Sequence, residues 1–209
     1  MNKNKPAPFV IGIVGKPAAG KGTVIPLIEK IALLEFGPKI VVKKVRFSDV
    51  LRERLLRRGI PETRENLQKD AQDLEKEGIL LGEGPGALSR EIGKRIEKMH
   101  DAHIAIVDGA RWLTDEKMIR SFERHGAIIY IKASFLIRWR RIKTRAENTG
   151  DSQKTFLQFL KEDCALTERF VREIGKRADL EIENETSVEH VRHRLVKFLN
   201  ANVFPFCEI

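Results

Sequence analysis

The stretch that decides the fold is Gly15-Lys16-Pro17-Ala18-Ala19-Gly20-Lys21-Gly22-Thr23. It follows a run of β-favouring apolar residues at 9–14 and leads into a segment with helical periodicity. The spacing Gly-x4-Gly-Lys between a strand and a helix is typical of a phosphate-binding loop, because its glycines let backbone N–H groups turn inward around phosphate oxygens. We therefore predict a loop that binds the phosphates of a nucleoside triphosphate.

Individual residues of this loop have predictable roles. Lys21 is expected to reach the β- and γ-phosphates as a mobile cation beside the positive N-terminal end of the new helix. Gly22 stands where such loops usually carry the Ser or Thr that binds Mg²⁺, so we expect Thr23 to contact the metal directly or through water. ATP and Mg²⁺ are the expected cofactors. The predicted ATP-binding residues are Gly15, Pro17, Ala18, Ala19, Gly20, Lys21, Gly22 and Thr23.

The composition favours one compact enzyme domain. The chain has 209 residues, of which 42% are hydrophobic, enough for a substantial core. Cys164 and Cys207 are too few for a disulfide scaffold and fit no metal-binding spacing, so a reducing cytoplasm is expected. Residues 1–8 lack a hydrophobic signal region and no segment is apolar enough to span a bilayer, so we expect a soluble protein without a membrane partner.

The charge of the chain bears on its partners. A formal net charge of +9 attracts polyanions, but nucleotides are polyanions as much as RNA is. Motifs of the common RNA- and DNA-binding modules are absent, and one tyrosine and two tryptophans leave little for base stacking. A small-molecule nucleotide is therefore the expected partner; a nucleic acid is compatible with the charge but not favoured, and the oligomeric state is not predicted.

Strand-like and helical segments alternate along the chain. The predicted strands cover residues 9–14, 40–47, 103–107, 127–133 and 178–182. Such alternation predicts parallel strands joined by crossover helices. We therefore predict an α/β fold of the P-loop NTPase type, with three layers, in which a parallel five-stranded sheet has helices on both faces. The chain is predicted to be a single domain, residues 1–209, whose core covers approximately 8–48 and 101–201.

A helical insertion is predicted between the second and third strands, at approximately 49–100. Its helical segments at 50–58, 64–77 and 88–99 are separated by glycine- and proline-containing turns. The glycine-rich turn at 82–86 is interpreted as a plain connection rather than a substrate loop. The insertion is expected to cover the ligand site.

Acidic and basic residues follow two of the predicted strands. Asp49 and Arg52 come after the second strand, and Asp108 and Arg111 come after the third. A guanidinium matches two phosphate oxygens, whereas an aspartate near the phosphate loop can hold Mg²⁺ or its waters. In the alternative interpretation the aspartates only cap helices or turns and the arginines face water.

The helix predicted from residue 135 has two different faces. Phe135, Trp139 and Ile142 share an apolar face, and a stripe of arginines lies on another. The arginines of this stripe are Arg138, Arg141 and Arg145. The three positive charges would repel one another unless water or a bound anion lies beside them, so we expect either a triphosphate or water there. A short lid loop is predicted at approximately 145–154.

These segments resemble the nucleoside monophosphate kinases. The form Gly-x-Pro-x-x-Gly-Lys-Gly-Thr is similar to the loop of adenylate kinases, and Phe47-Ser48-Asp49-Val50-Leu51-Arg52 resembles their Asp-x-Leu-Arg segment. The resemblance implies that Arg52 holds the acceptor phosphate, that Arg141 and Arg145 match the arginine pair ahead of the lid, and that the insertion closes over the acceptor. The form Asp-Gly-x-Arg at 108–111 is one residue shorter than in adenylate kinases and is similar to relatives of archaeal dephospho-coenzyme-A kinases. The arginines of the adenylate kinase lid have no clear counterpart here.

The sequence thus predicts an ATP-dependent kinase that transfers the γ-phosphoryl group to a nucleoside monophosphate. Its predicted catalytic residues are Lys21, Arg52, Arg111, Arg141, Arg145 and Asp49, and its predicted metal-binding residues are Thr23 and Asp108. One alternative is a hydroxyl kinase acting on a dephospho-coenzyme-A-like acceptor, with Asp49 as base. The alternative from another class is an ATP-binding protein with slow ATPase activity that binds RNA or a protein partner.

Overall fold

The strands form a parallel sheet, as the alternating sequence predicts. The computed structural model describes residues 7–122, 125–145, 153–185 and 187–207. In these ranges one five-stranded sheet has the order β2-β3-β1-β4-β5, with every pairing parallel. The strands are β1 (Phe9–Val14), β2 (Val42–Arg46), β3 (Ile104–Ala110), β4 (Gly126–Lys132) and β5 (Leu180–Glu183).

The helices lie on both faces of this sheet. They are α1 (Lys21–Phe36), α2 (Phe47–Arg57), α3 (Arg64–Leu80), α4 (Ala87–Glu97), α5 (Leu113–Arg120), α6 (Phe135–Arg145), α7 (Phe156–Asp163), α8 (Leu166–Gly175) and α9 (Val188–Asn202), with short 3-10 helices at Gly37–Lys39 and Phe204–Phe206. Ser187 caps α9 by accepting a hydrogen bond from the His190 N–H. In the described part of the chain no helix is long and apolar enough to cross a membrane.

The central strand β1 shows why the sheet is buried on both faces. All six of its residues are buried, and its side chains alternate between two cores because successive residues of a strand point to opposite faces. Phe9, Ile11 and Ile13 join the core covered by α1 and α9, whereas Val10 and Val14 join the core covered by α2, α4, α5 and α8. The three-layer α/β architecture predicted from the sequence is confirmed.

The predicted insertion consists of α2, α3 and α4, between β2 and β3. Arg54 of α2 and Arg58, which directly follows α2, both bind the buried Asp70 of α3, at 3.0 and 2.7 Å, so the two helices are joined by ion pairs as well as by apolar contacts. The element boundaries differ slightly from prediction: α2 begins at Phe47, and β3 continues to Ala110, which places Asp108 inside the strand. The division into core and insertion remains a prediction. Residues 146–152, most of the predicted lid loop, lie outside the described residues.

Candidate active site

The phosphate-loop candidate connects the end of β1 to the start of α1. Gly20 has φ +108° and Ala18 has φ +60°, both in the left-handed region, which a non-glycine residue such as Ala18 adopts at an energetic cost. A Cβ at Gly20 would overlap the side-chain amide of Asn184, and one at Gly15 would lie 2.6 Å from the Ile131 carbonyl oxygen. Both glycines are therefore required by the packing around the loop, whereas Gly22 has open space.

The loop is held from outside by side chains of two neighbouring elements. Asn184, next to the end of β5, donates from its amide to the Ala19 carbonyl at 2.8 Å. Arg141 of α6 donates to the carbonyls of Ala18 and Ala19 at 3.3 and 3.2 Å, and to the Asn184 carbonyl at 2.6 Å. Arg141 thus lies at the loop, and its guanidinium binds loop carbonyls. Its predicted contact with phosphate stays a prediction.

Lys21 lies over the loop that precedes it. Its Nζ donates to the Gly15 carbonyl at 2.7 Å and to the Lys16 carbonyl at 3.4 Å. These bonds place the ammonium group at the mouth of the loop, where the sequence predicts contact with phosphates.

An ion-pair network connects the loop to α6 and α7. The Asp163 carboxylate accepts from Lys16 at 2.9 Å and from Arg138 at 2.5 and 3.1 Å, and Arg138 is 4% exposed. Burial alone would raise the pKa of Asp163, but the hydrogen bonds from Arg138 and Lys16 outweigh it and lower that pKa. The interpretation of Arg138 as part of a stripe facing a triphosphate or water is wrong, because its charge is neutralised by Asp163.

Asp108 lies at the carboxyl end of β3, beside the phosphate loop. In the sheet, Asp108 pairs with Ile13 of β1 on one side and with Arg46 of β2 on the other. The Nε atom of Arg46 lies 3.4 Å from Oδ2 of Asp108. Asp108 Oδ1 is buried and has no hydrogen-bond partner among the residues the structure describes. The contact with Arg46 was not predicted from the sequence. Arg46 is, like Asp108, a charged residue at the carboxyl end of a parallel strand, so the same rule could have identified it.

Arg111 is held by contacts that sequence reasoning missed. Its guanidinium binds the buried carboxylate of Glu168 on α8. The backbone N–H groups of Arg111 and Trp112 donate to Asp115 Oδ2 at 2.7 and 2.9 Å, and the Ser89 hydroxyl donates to Asp115 Oδ1 at 2.6 Å. Burial raises the pKa of Asp115 to about 6, against the opposing effect of these hydrogen bonds. Arg111 is thereby connected to both α8 and the insertion.

A cavity of about 270 Å³ joins these groups. Its residues come from the phosphate loop, the end of β3, the start of α5 and the insertion. They are Lys21, Phe47, Ser48, Leu51, Leu67, Gln68, Ala71, Gln72, Leu88, Asp108, Gly109, Arg111, Trp112 and Asp115. The cavity therefore brings together Lys21, Asp108 and Arg111 and places all three beneath the insertion.

Two other predicted residues lie beside this cavity rather than in its wall. Arg52 donates to Asp49 Oδ1 at 2.8 Å and Glu62 Oε1 at 2.6 Å, and it donates to the hydroxyl of Ser48, a cavity residue, at 3.0 Å. The hydrogen bond with Glu62 is the main cause that raises the pKa of Arg52. The roles predicted for Arg52 and Asp49 stay predictions. The side chain of Arg145 lies outside the described residues.

The family of the chain follows from two comparisons. A family model described as AAA domain matches residues 14–158, and the UPF0200 protein of Methanoculleus marisnigri is 32% identical over 187 residues, which cover 86% of this chain and 89% of that protein. The chain belongs to the AAA domain family and to the UPF0200 family. The UPF0200/UPF0201 protein of Archaeoglobus fulgidus is 31% identical over 196 residues, which cover 90% of this chain but only 55% of that longer protein.

Solved structures show the same fold as this UPF0200 protein. TT1252 from Thermus thermophilus matches with a TM-score of 0.55 at 21% identity. The match covers 93% of this chain and 97% of the TT1252 chain. The Mycobacterium tuberculosis APS kinase, in complex with AMPPNP and APS, has a TM-score of 0.55 at 16% identity, with 93% of this chain and 99% of that chain covered. A gluconokinase from Sinorhizobium meliloti has a TM-score of 0.53 at 15% identity, with 94% of each chain covered. The UPF0200 chain therefore has a P-loop kinase-like fold.

Proposed function

We propose that this protein is an ATP-dependent kinase that transfers the γ-phosphoryl group to a nucleoside monophosphate. The observation that carries the proposal is the cavity that joins Lys21 of the phosphate loop to Asp108, Arg111 and the helical insertion. A nucleoside monophosphate kinase needs two anionic substrates side by side. This cavity adjoins the phosphate loop on one side and is covered by the insertion on the other.

The residues of the site suit phosphoryl transfer, which relies on positioning and on electrostatic stabilisation more than on covalent chemistry. The loop from Gly15 to Gly20 would hold the triphosphate, and Lys21 would neutralise its β- and γ-phosphates. Arg111, fixed by Glu168 and by the Asp115 bonds to its backbone, would hold the acceptor phosphate with two donors of its guanidinium. Arg52 would add a second guanidinium from beside Ser48.

A magnesium ion fits the oxygen donors of this site. Asp108 Oδ1 is a buried carboxylate oxygen without a hydrogen-bond partner in the described ranges, and Thr23 carries a hydroxyl in the first turn of α1. Mg²⁺ commonly binds one or two protein oxygens together with substrate phosphates, so we propose Asp108 and Thr23 as its protein ligands. When bound, Mg²⁺ would neutralise part of the negative charge of the phosphates.

A hydroxyl acceptor is the second candidate. Among the described residues that line the cavity only Lys21 and Arg111 are cationic, and Arg111 is already paired with Glu168. Asp49, the base expected for such a kinase, is paired with Arg52 and does not belong to the cavity wall. Asp108 is the carboxylate that could accept a hydroxyl proton there, because its Oδ1 is unpaired within the described residues.

The test is an acceptor panel. The protein is incubated with ATP, Mg²⁺ and each of AMP, CMP, GMP, UMP and dephospho-coenzyme A, and the phosphorylated acceptor is measured by mass-resolved chromatography. A nucleoside diphosphate as product supports the proposal, and phosphorylated dephospho-coenzyme A supports the second candidate. If ATP binds but no acceptor is phosphorylated, the kinase proposal fails and an ATP-binding protein with slow ATPase activity is favoured.

A further inference from the structure

The cavity has two chemically different sides. Its core side, formed by the phosphate loop, β3, α5 and the turn between them, carries ionisable groups at Lys21, Asp108, Arg111 and Asp115. Its insertion side, formed by α2, α3 and the start of α4, is mainly apolar. The apolar residues of the insertion side are Phe47, Leu51, Leu67, Ala71 and Leu88.

Two side-chain amides and the Ser48 hydroxyl, which accepts from Arg52, interrupt this apolar insertion side. Gln68 and Gln72 lie four residues apart on α3, so they occupy one face and are separated by about 6 Å along the helix axis. Neither amide has a hydrogen-bond partner within residues 7–122, 125–145, 153–185 and 187–207. Each therefore keeps a donor and an acceptor that a bound molecule can use.

Other polar side chains of α3 that meet neighbouring elements are paired. Asp70 binds Arg54 of α2 and Arg58, which directly follows α2. Glu75 accepts from the backbone N–H groups of Gly86 and Leu88 at 2.6 and 3.2 Å. The two glutamines differ from these residues because they line the cavity without satisfying another group of the protein.

The chemistry of the insertion side fits a flat, neutral, hydrogen-bonding ring. An amide can donate and accept at once, as the edge of a nucleobase does, and Leu51, Leu67 and Leu88 suit its apolar faces. The indole of Trp112, which packs on Phe170 with ring centroids 5.7 Å apart, adds an aromatic surface to the cavity wall. A polyhydroxylated acceptor would leave hydroxyl groups against leucines without partners.

We propose that Gln68 and Gln72 bind the base of the acceptor nucleotide and set the preference among bases. This inference rests on the proposed function, since it takes the cavity as the acceptor site. It adds to that proposal the part of the acceptor that the insertion recognises and the two residues that recognise it.

The test is direct binding, which does not depend on turnover. Affinities for AMP, CMP, GMP and UMP are measured by calorimetry, with a non-hydrolysable ATP analogue present, for the wild type, Gln68→Leu and Gln72→Leu. We expect each variant to bind the preferred nucleotide about fivefold more weakly, the loss of one neutral hydrogen bond, with a different loss for each base. Lys69→Ala, an exposed position between the two glutamines, is the matched control and should bind as the wild type does.

Two further variants distinguish loss of base recognition from a general disturbance of the structure. Gln68→Glu and Gln72→Glu keep the side-chain shape but replace an amide donor with an acceptor, so they should change the order of the four nucleotides. Unchanged affinities in the leucine variants would overturn the inference, and so would a wild type that binds none of the four nucleotides. Nucleotides that bind through the glutamines but are not phosphorylated would support the inference and refute the proposed kinase function.

Discussion

Arg111 is bound by Glu168, a buried carboxylate that α8 supplies from 57 residues further along the chain. This pairing holds the guanidinium at the wall of the candidate cavity. The backbone N–H groups of Arg111 and Trp112 donate to Asp115, and these bonds fix the same segment. The position of Arg111 thus depends on two carboxylates outside the sequence motif that contains it.

Glu168→Gln should lower kcat/KM for the acceptor but leave KM for ATP nearly unchanged. A charge-assisted hydrogen bond contributes about 1.5–3 kcal/mol, so kcat/KM for the acceptor should fall by about tenfold or more while KM for ATP stays within about twofold. Steady-state kinetics with each substrate varied in turn measures this. The matched control is Glu173→Gln on the same helix, where only an exposed pair with Arg177 is lost. Equal losses for both substrates would show that Glu168 does not act through Arg111.

Gly20→Ala should destabilise the fold, whereas Gly22→Ala should not. Gly20 has φ +108° and its added Cβ would overlap Asn184, which also binds the Ala19 carbonyl. We expect a loss of at least about 1 kcal/mol at Gly20. Gly22 is helical, and outside its own stretch of helix no atom of the described residues lies within 4 Å of an added Cβ, so alanine there should be neutral or slightly stabilising. Urea denaturation without nucleotide compares the two, and equal losses would contradict the described loop geometry.

Asp115 should make stability depend on pH in a defined window. Its pKa is raised to about 6 by burial, so the folded state binds a proton that the unfolded state, with a pKa near 3.8, has already released. The stabilisation from this group is complete below about pH 4 and is lost as the pH rises through about 6, with a total of about 3 kcal/mol.

Denaturation of the wild type and Asp115→Asn from pH 4 to 7 measures this contribution. The difference in free energy of unfolding between the two proteins should shift in favour of the variant as the pH rises. Asp73→Asn, a control substitution at a more exposed position of α3, should show the same pH dependence of the free energy of unfolding as the wild type. A difference that is constant over the whole range would refute the linkage.

The fold was predictable because its determinants are local. The apolar run of β1, the glycine spacing that follows it and the alternation of strand and helix patterns each involve neighbouring residues, and the structure confirms the resulting sheet. Lys21, Asp108 and Arg111 line one cavity because parallel strands direct their carboxyl ends to one edge of the sheet, and the roles predicted for them stay predictions.

The partners of these residues were not predictable from local patterns. Asn184, Asp163 and Glu168 reach the site across 165, 147 and 57 residues of sequence, and periodicity carries no information about such pairs. Arg138 illustrates the consequence. Its spacing with Arg141 suggests a shared cationic stripe, but Asp163 neutralises Arg138 in the interior, while Arg141 binds the phosphate loop.

The most direct test of the central claim is transfer from γ-labelled ATP by Lys21→Ala, with Lys30→Ala as the control at an exposed position of the same helix. Both proteins are compared with the wild type at saturating Mg²⁺ and with the nucleoside monophosphate that the acceptor panel identifies. The proposed function predicts that Lys21→Ala loses at least about a hundredfold in labelled nucleoside diphosphate formed per second, while Lys30→Ala keeps the wild-type rate. Normal transfer by Lys21→Ala would contradict it.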